Sequence, residues 1–392
     1  MKITDIKTHI AMPIDTLAWV FVEVETDEGV SGLGECTEYI GNPHLVRGLE
    51  AIKPLVIGTD PSHIEEIWQR LFHAYSNLNS RGYISHLMSA IDIALWDIRG
   101  KTLGVPIYEL LGGPVREAVS LYTHVPDQWQ STDLDAMVAA ARQAKEMGYL
   151  AIKTDPFPQQ AKPSNSPFMG ATQVEYLDPE AIAKSVKWME ALREAVGPHV
   201  ELLIDAHGRF DVASAIKGCH ALQHIDLVWF EEPTHVESDN ALRQVRENTN
   251  VPLCVGERHF TRWDYWQLLN DRLVDYVMPD VAWCGGISEW RRIAAMAEVQ
   301  YIRVSPHDAL GPIALAASFQ LSMATPNLYR EECLHTWFPH MESLITPMLD
   351  IRDGSIHPNG RPGLGIELNM DGINEYRVEI DDLQARLPDW LV

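Results

Sequence analysis

Asp205, Glu231 and Glu257 each close a short apolar run, and the interval between neighbours is 26 residues both times. That interval holds one strand, one helix and two loops, the repeat unit of a parallel sheet. The runs Val200-Glu201-Leu202-Leu203-Ile204, Leu227-Val228-Trp229-Phe230 and Leu253-Cys254-Val255-Gly256 have the near-continuous apolar character of strands covered on both faces. Three neighbouring strands then aim three carboxylates at one point. Anions gathered this closely repel strongly unless a cation sits among them. An all-oxygen site suits a hard divalent ion, Mg²⁺ before Mn²⁺ or Ca²⁺. A metal-dependent enzyme is the first expectation.

With 392 residues the chain exceeds one ordinary core, which favours a barrel of roughly 250 residues with a smaller companion domain. Residues 1 to about 36 alternate apolar and polar around a Thr26-Asp27-Glu28-Gly29 turn, as an antiparallel meander does. Helical spacing follows over 45–55, 62–75 and 85–100, and Gly112-Gly113-Pro114 marks a boundary. From Ala118 the pattern becomes strand, loop, helix, with strands expected near 118–125, 149–155, 200–205, 227–231, 253–257, 276–281, 302–307 and 328–332. Eight is the count of a closed parallel barrel. The expected fold is therefore a (β/α)8 TIM barrel over 118–349 with an α+β capping domain over 1–117, to which 350–392 returns. A Pro-rich loop, 156–177, without a period of its own, is expected to be either a lid over the catalytic face or disordered.

Charge and cysteines narrow the partners. The net charge of −24 argues against nucleic acid and anionic membrane surfaces, both of which it repels. Five cysteines without a Cys-x-x-Cys pair read as buried thiols in a reducing compartment. The N-terminus lacks a signal-peptide pattern, and the apolar runs are too short to span a bilayer. A cytoplasmic protein acting on a small molecule is expected.

The expected strand ends carry acid–base residues. Asp205-Ala206-His207 places an imidazole on the same side of the strand as the first carboxylate, because side chains alternate with period two. Pro306-His307 closes the seventh strand, four places round the ring from the third, so the histidines are expected to face one another. Asp280, closing the sixth strand, can accept a hydrogen bond from His307, fix its tautomer and raise its basicity. Glu332 closes the eighth strand beside Glu331, and Lys153 lies at the end of the second. Arg209 follows His207 and can bind a substrate carboxylate or pair with a loop acid. Alternation does not choose between Glu231 and Glu232 as ligand; the equal spacing favours Glu231. A divalent cation between two histidines suits proton abstraction next to a carboxylate with loss of a β-hydroxyl, giving a 2-keto-3-deoxy acid.

The strings Asp205-Ala206-His207-Gly208-Arg209, Glu231-Glu232-Pro233, Gly256-Glu257-Arg258, Pro279-Asp280, Cys284-Gly285-Gly286-Ile287, Pro306-His307 and Leu310-Gly311-Pro312 resemble the enolase superfamily, mandelate racemase subgroup. Their order is most similar to D-galactonate dehydratase and related acid-sugar dehydratases. Thr26-Asp27-Glu28-Gly29-Val30, Gly32-Leu33-Gly34-Glu35 and Pro362-Gly363-Leu364-Gly365 extend the likeness over nearly the whole chain. The resemblance implies Asp205, Glu231 and Glu257 as ligands of one Mg²⁺, His307 as base with Asp280 as partner, and His207 as the acid that expels the 3-hydroxyl. Glu332, Lys153 and Arg209 are expected at the substrate, and Glu332 is also expected among the catalytic residues, where in its protonated form it can hydrogen-bond a substrate oxygen or a metal-bound carboxylate. A His or Lys base with a Mg²⁺-stabilised intermediate is general to this superfamily rather than read from these residues. A homo-oligomer is implied in the same way.

One position departs from many relatives: Lys153-Thr154-Asp155 lacks the second lysine of a Lys-x-Lys pair. Racemisation between a lysine and a histidine loses a base; dehydration keeps its base and its acid. Asp280 favours the galactonate-like arrangement over the mannonate branch, and galactonate, gluconate and mannonate are the leading substrates. Racemase, epimerase or cycloisomerase action through the same intermediate is the rival, with a silent sugar-acid binder behind it. A barrel hydrolase would show His-x-His on the first strand, where only His124 stands. Segments 12–17, 39–43 and 75–83 of the cap are expected near the distal end of the substrate.

Overall fold

The computed structural model describes residues 1–14, 17–38, 42–76, 81–128, 131–158 and 176–385. Strands β1 (Ile3–Ile14), β2 (Leu17–Thr26) and β3 (Ser31–Glu35) form an antiparallel meander in that order. Gly29 supplies the left-handed φ of 79° that the turn between β2 and β3 needs. Helices α1 (Asn42–Val56), α2 (Ile64–Ser76) and α3 (Tyr83–Leu103) complete the cap. β2 departs from simple alternation, because it is buried on both faces. Ala18, Val20, Val22 and Val24 pack with the cap helices, while Leu17, Trp19 and Phe21 join the core shared with the barrel. The meander is a middle layer, so both of its faces are apolar.

Eight parallel strands close the barrel: β4 (Val119–His124), β5 (Ala151–Thr154), β6 (Glu201–Asp205), β7 (Leu227–Glu231), β8 (Leu253–Val255), β9 (Tyr276–Val277), β10 (Arg303–Val304) and β11 (Glu331–Cys333). β4 to β10 pair in sequence; β11 pairs with β4, and a Val304–Leu328 bridge joins β10 to the segment leading into β11. Tyr122, Ala151, Leu203, Trp229, Cys254 and Met278 fill one interior layer. Two residues further along their strands, His124, Lys153, Asp205 and Glu231 form the next, so period two turns an apolar floor into a charged mouth.

β8, β9 and β10 are shorter than expected, because their carboxyl ends leave the ladder to become site loops. Gly256 shows why: its φ is 151°, and a Cβ there would lie 2.6 Å from the Met278 nitrogen. The tail divides between the two units. Ser355–His357 adds antiparallel to the start of β4, whereas Gly363 bridges Pro106, and Arg377 bridges Ala11 on β1. All five cysteines are buried free thiols.

Two buried acids of the cap hold the N-termini of two barrel helices. Glu35 accepts the Gly311 N–H at 2.7 Å and the Ala314 N–H at 2.9 Å, at the start of helix Pro312–Ala324, and the Thr37 hydroxyl at 2.6 Å. Asp92 on α3 accepts the Ser288 N–H at 2.9 Å at the start of helix Gly286–Val299. The positive end of each helix dipole faces a carboxyl group. Burial pushes both groups up to about 7. Glu35 uses both oxygens, while Asp92 Oδ1 has no hydrogen-bond partner.

Glu35→Gln is therefore expected to cost about 1–3 kcal/mol in urea unfolding, and Asp92→Asn less; the reverse order would contradict this account of the interface. Because Asp92 is raised in the folded state, its stabilising share is full below its unfolded value near 3.8 and is lost as pH rises through about 7. The gap between the parent and Asp92→Asn should thus narrow from pH 5 to pH 8.

Candidate active site

Asp205, Glu231 and Glu257, from the ends of three adjacent strands, bring one carboxylate oxygen each to within 4.8 Å of one another, all buried. Glu231 rather than Glu232 joins this group. Glu232 has a positive φ of 41° and turns away, accepting the Gly256 N–H at 3.1 Å and facing Arg258 at 3.5 Å. Three hard oxygen donors in a buried cluster fit a divalent cation of the Mg²⁺ kind. The cluster's electrostatics point the same way. Burial and then the Asp205 charge push the Glu231 carboxyl well above the ordinary range, so the three acids do not ionise together without added positive charge.

Lys153 supplies part of that charge. Its Nζ, almost fully buried, lies 2.9 Å from Glu231 Oε1, 3.4 Å from Asp205 Oδ2 and 2.6 Å from Glu332 Oε1. Burial alone lowers the ammonium group; Glu231, Glu332 and Asp205 outweigh it and hold it well above its ordinary value. Glu332 is taken up by protein partners. It receives Lys153, His124 Nε2 at 2.6 Å and the Asp308 N–H at 2.9 Å. Burial alone would raise it, but Lys153 and His307 keep it well below the usual carboxylate range.

The two histidines stand at opposite ends of the acidic group. His307 Nε2 is 3.1 Å from Glu257 Oε2, and its Nδ1 is 2.7 Å from Asp280 Oδ2. Trp283 packs over the ring with centroids 5.2 Å apart, and its indole N–H donates to the Thr37 carbonyl of the cap at 2.7 Å. His207 Nε2 is 3.5 Å from Asp205 Oδ2, and its Nδ1 is 3.0 Å from Asp155 Oδ2. His207 has a φ of 53°, a strained turn immediately beyond β6 that brings the ring back beside Asp205. Burial lowers both imidazoles, and the facing carboxylates reverse this: Glu257, Glu332 and Asp280 for His307, Asp205 and Asp155 for His207.

Arg209 is turned to a loop-side acid. Its guanidinium donates to Asp155 Oδ2 at 2.6 Å and to the Ala206 carbonyl at 3.2 Å, which places it behind His207. Four participants were not singled out as site residues in the sequence: His124, Asp155, Arg258 and Trp283. Period two from Tyr122 and from Lys153 points His124 and Asp155 into the mouth. Arg258, 2.9 Å from Glu257, shows only as a neighbour in sequence, and nothing local marks Trp283. Residues 159–175 of the expected lid lie outside the described residues, as do 15–16, 39–41 and 77–80 of the cap. Just before residues 159–175, Phe157 is buried against Phe210 and Phe230.

A capped (β/α)8 barrel with a carboxylate cluster between two histidines at its carboxyl face is an arrangement that suits acid–base chemistry. Comparison with known proteins gives its lineage. Residues 4–112 match the mandelate racemase / muconate lactonizing enzyme N-terminal domain, and residues 136–372 match the enolase C-terminal domain-like model. The chain belongs to the enolase superfamily and is a lyase within it. It is 34% identical to a D-galactonate dehydratase family member of Streptomyces bingchenggensis, over 93% of this chain and 92% of the relative. It is 33% identical to a D-mannonate dehydratase of a Sphingomonas species (94% and 93%) and 31% to a D-xylonate dehydratase of Haloferax volcanii (97% and 90%). A mandelate racemase/muconate lactonizing enzyme-like protein from Rubrobacter xylanophilus superposes with a TM-score of 0.86 at 34% identity, over 96% of this chain and 98% of that one. A member of the enolase superfamily from Salmonella Typhimurium gives 0.88 at 29%, over 96% and 100%.

Asp205→Asn is expected to weaken Mg²⁺ binding at least about tenfold, about 1.4 kcal/mol, in isothermal titration calorimetry. In the parent, Mg²⁺ at 100 times its Kd should add about 2.7 kcal/mol to the unfolding free energy. Equal stabilisation of parent and variant would place the cation elsewhere.

Proposed function

We propose that the protein is a Mg²⁺-dependent acid-sugar dehydratase that removes water across C2 and C3 of an aldonate to give a 2-keto-3-deoxy acid. The observation that carries this reading is the pair of carboxylate-backed imidazoles at opposite ends of the acidic group. One can take a proton while the other gives one. The names of the relatives, D-galactonate, D-mannonate and D-xylonate dehydratase, support the substrate class, and D-gluconate joins the candidates as a further hexonate. A divalent cation held by Asp205, Glu231 and Glu257 would supply positive charge opposite the negative charge that grows on the substrate carboxylate.

The chain's own groups divide the remaining work. His307 takes the C2 proton at Nε2, and Asp280 holds the ring by accepting the Nδ1 hydrogen. Asp280 also steadies the positive charge the ring gains. His207 protonates the departing 3-hydroxyl, which leaves as water with the carbon–oxygen electron pair. Lys153 and Glu332 border the reacting end of the substrate, and Trp283 walls the His307 side. The position where a second lysine base stands in many relatives is Asp155, an acid turned to His207, which weighs against racemisation. A cytoplasmic homo-oligomer accompanies this reading; no described helix is long and apolar enough to cross a membrane.

Stereoisomeric hexonates and pentonates incubated with Mg²⁺ should reveal a substrate by its 2-keto-3-deoxy product. With that substrate, His307→Asn should lose about 10²–10⁴ in rate, for both dehydration and C2 deuterium exchange in D₂O. His207→Gln should lose dehydration and keep the exchange, and product NMR should report anti elimination. Exchange by the parent without any dehydrated product would instead identify a racemase or epimerase.

A further inference from the structure

His207 and His307 are held in the same way. Each ring faces a buried aspartate through Nδ1, Asp155 at 3.0 Å and Asp280 at 2.7 Å. Each faces an acid of the cluster through Nε2, Asp205 at 3.5 Å and Glu257 at 3.1 Å. In both cases the aspartate comes from the end of the strand just before the one that carries the histidine: β5 before β6, β9 before β10. The duplicated arrangement extends to the burial of the two aspartates, both within 1% of full.

Asp155 is gripped on every side. Its Oδ1 accepts the Phe157 N–H at 2.9 Å, its Oδ2 accepts Arg209 at 2.6 Å as well as facing His207, and its own N–H donates to Asp127 Oδ1 at 2.6 Å. A carboxylate held at both oxygens cannot rotate away, so its acceptor stays aimed at one imidazole nitrogen. Arg209 is itself fixed by the Ala206 carbonyl in the turn that carries His207. Histidine, aspartate and arginine thus form one closed unit around that turn.

We propose that Asp155 is the positioning residue of His207: it accepts the Nδ1 hydrogen, so that Nε2 is the nitrogen that delivers a proton into the site, and Arg209 keeps Asp155 in place. The use made of that proton rests on the dehydratase reading; the tautomer does not. In the step itself the Nε2 proton passes to the departing hydroxyl, water leaves with the carbon–oxygen electron pair, and the neutral ring keeps its Nδ1 hydrogen on Asp155. An asparagine at 155 offers an amide N–H to Nδ1 and favours the opposite tautomer, as the same exchange does in Ser-His-Asp triads. Such a neutral ring would have to become an anion to give up its Nε2 proton.

Two measurements test this on the Mg²⁺-loaded protein. In ¹⁵N-histidine NMR of the parent, the neutral His207 ring, assigned by its absence from His207→Gln, should carry hydrogen on Nδ1; a bare Nδ1 overturns the proposal without any variant. Asp155→Asn should move that hydrogen to Nε2. With the substrate the parent turns over, Asp155→Asn should lower kcat for dehydration by about 10²–10⁴ and leave KM within about threefold. Deuterium should then appear at C2 of the recovered substrate. In a His207→Gln background the same substitution should change C2 exchange by less than about twofold. Dehydration and exchange falling together, or a further loss in that background, would show a merely structural role. If no acid sugar is turned over by the parent, the dehydratase reading fails and the tautomer measurement alone decides for Asp155.

Discussion

The mutual repulsion of Asp205, Glu231 and Glu257 orders the rest of the barrel mouth. Two unit charges 4 Å apart interact by about 4 kcal/mol at an effective dielectric constant near 20. The triad oxygens lie within 4.8 Å of one another, so three ionised groups carry three such penalties. The ammonium of Lys153 offsets part of this and is shared between Glu231, Asp205 and Glu332. Arg258 and His307 draw Glu257 the other way; burial raises its carboxyl, yet these two bring it down to about 2. The cluster is thereby polarised. Its flanks are held ionised by nearby cations, while the middle acid, Glu231, is left with the excess repulsion. A divalent ion relieves that repulsion where one ammonium does not.

Such a site needs rigid walls, and the cap contributes to them through the same helix-terminus chemistry that fixes its own position. Glu35 and Asp92 reach across to the first turns of helices Pro312–Ala324 and Gly286–Val299. Those helices begin just beyond His307 and Asp280 in the chain. Trp68, Trp96 and Trp283 add indole N–H bonds across the same boundary, to the Gly285 carbonyl, the Ser288 hydroxyl and the Thr37 carbonyl. The loops that carry His307 and Asp280 are thus pinned from above by the cap. Cap docking and the placing of His307 share one set of contacts.

Much of this was legible in the sequence because period and spacing are geometric. Equal intervals of 26 residues give adjacent strands, and the structure places Asp205, Glu231 and Glu257 together. The choice between Glu231 and Glu232 is not a matter of alternation, since adjacent residues on a strand point opposite ways and either parity is allowed. The backbone decides it, through the positive φ at Glu232 that turns the second acid outward. Asp155 could be read as a missing lysine but not as a partner for His207, because that contact joins two strands 52 residues apart. Trp283 is beyond any local pattern, since its role depends on where the cap lies. The strand ends were overestimated for a related reason: apolar runs continue into site loops that Gly256 and its neighbours have already bent off the ladder.

Charge balance also limits what this mouth can bind. Among the described residues, seven acids meet there, Asp155, Asp205, Glu231, Glu232, Glu257, Asp280 and Glu332, against three permanent cations, Lys153, Arg209 and Arg258. Each cation already faces carboxylate oxygens: Lys153 three acids, Arg258 both Glu257 and Glu232, Arg209 Asp155. A substrate carboxylate entering this field brings one more negative charge to a protein whose net charge is −24. Among the described residues no arginine here is placed to receive it without abandoning a buried acid, and an unpaired buried charge costs several kcal/mol. A divalent cation bound at the triad would bring the charge to spare for an anionic sugar acid that none of these described groups offers. Such a cation would tie substrate binding to the three strand-end acids more tightly than any single hydrogen bond in the pocket.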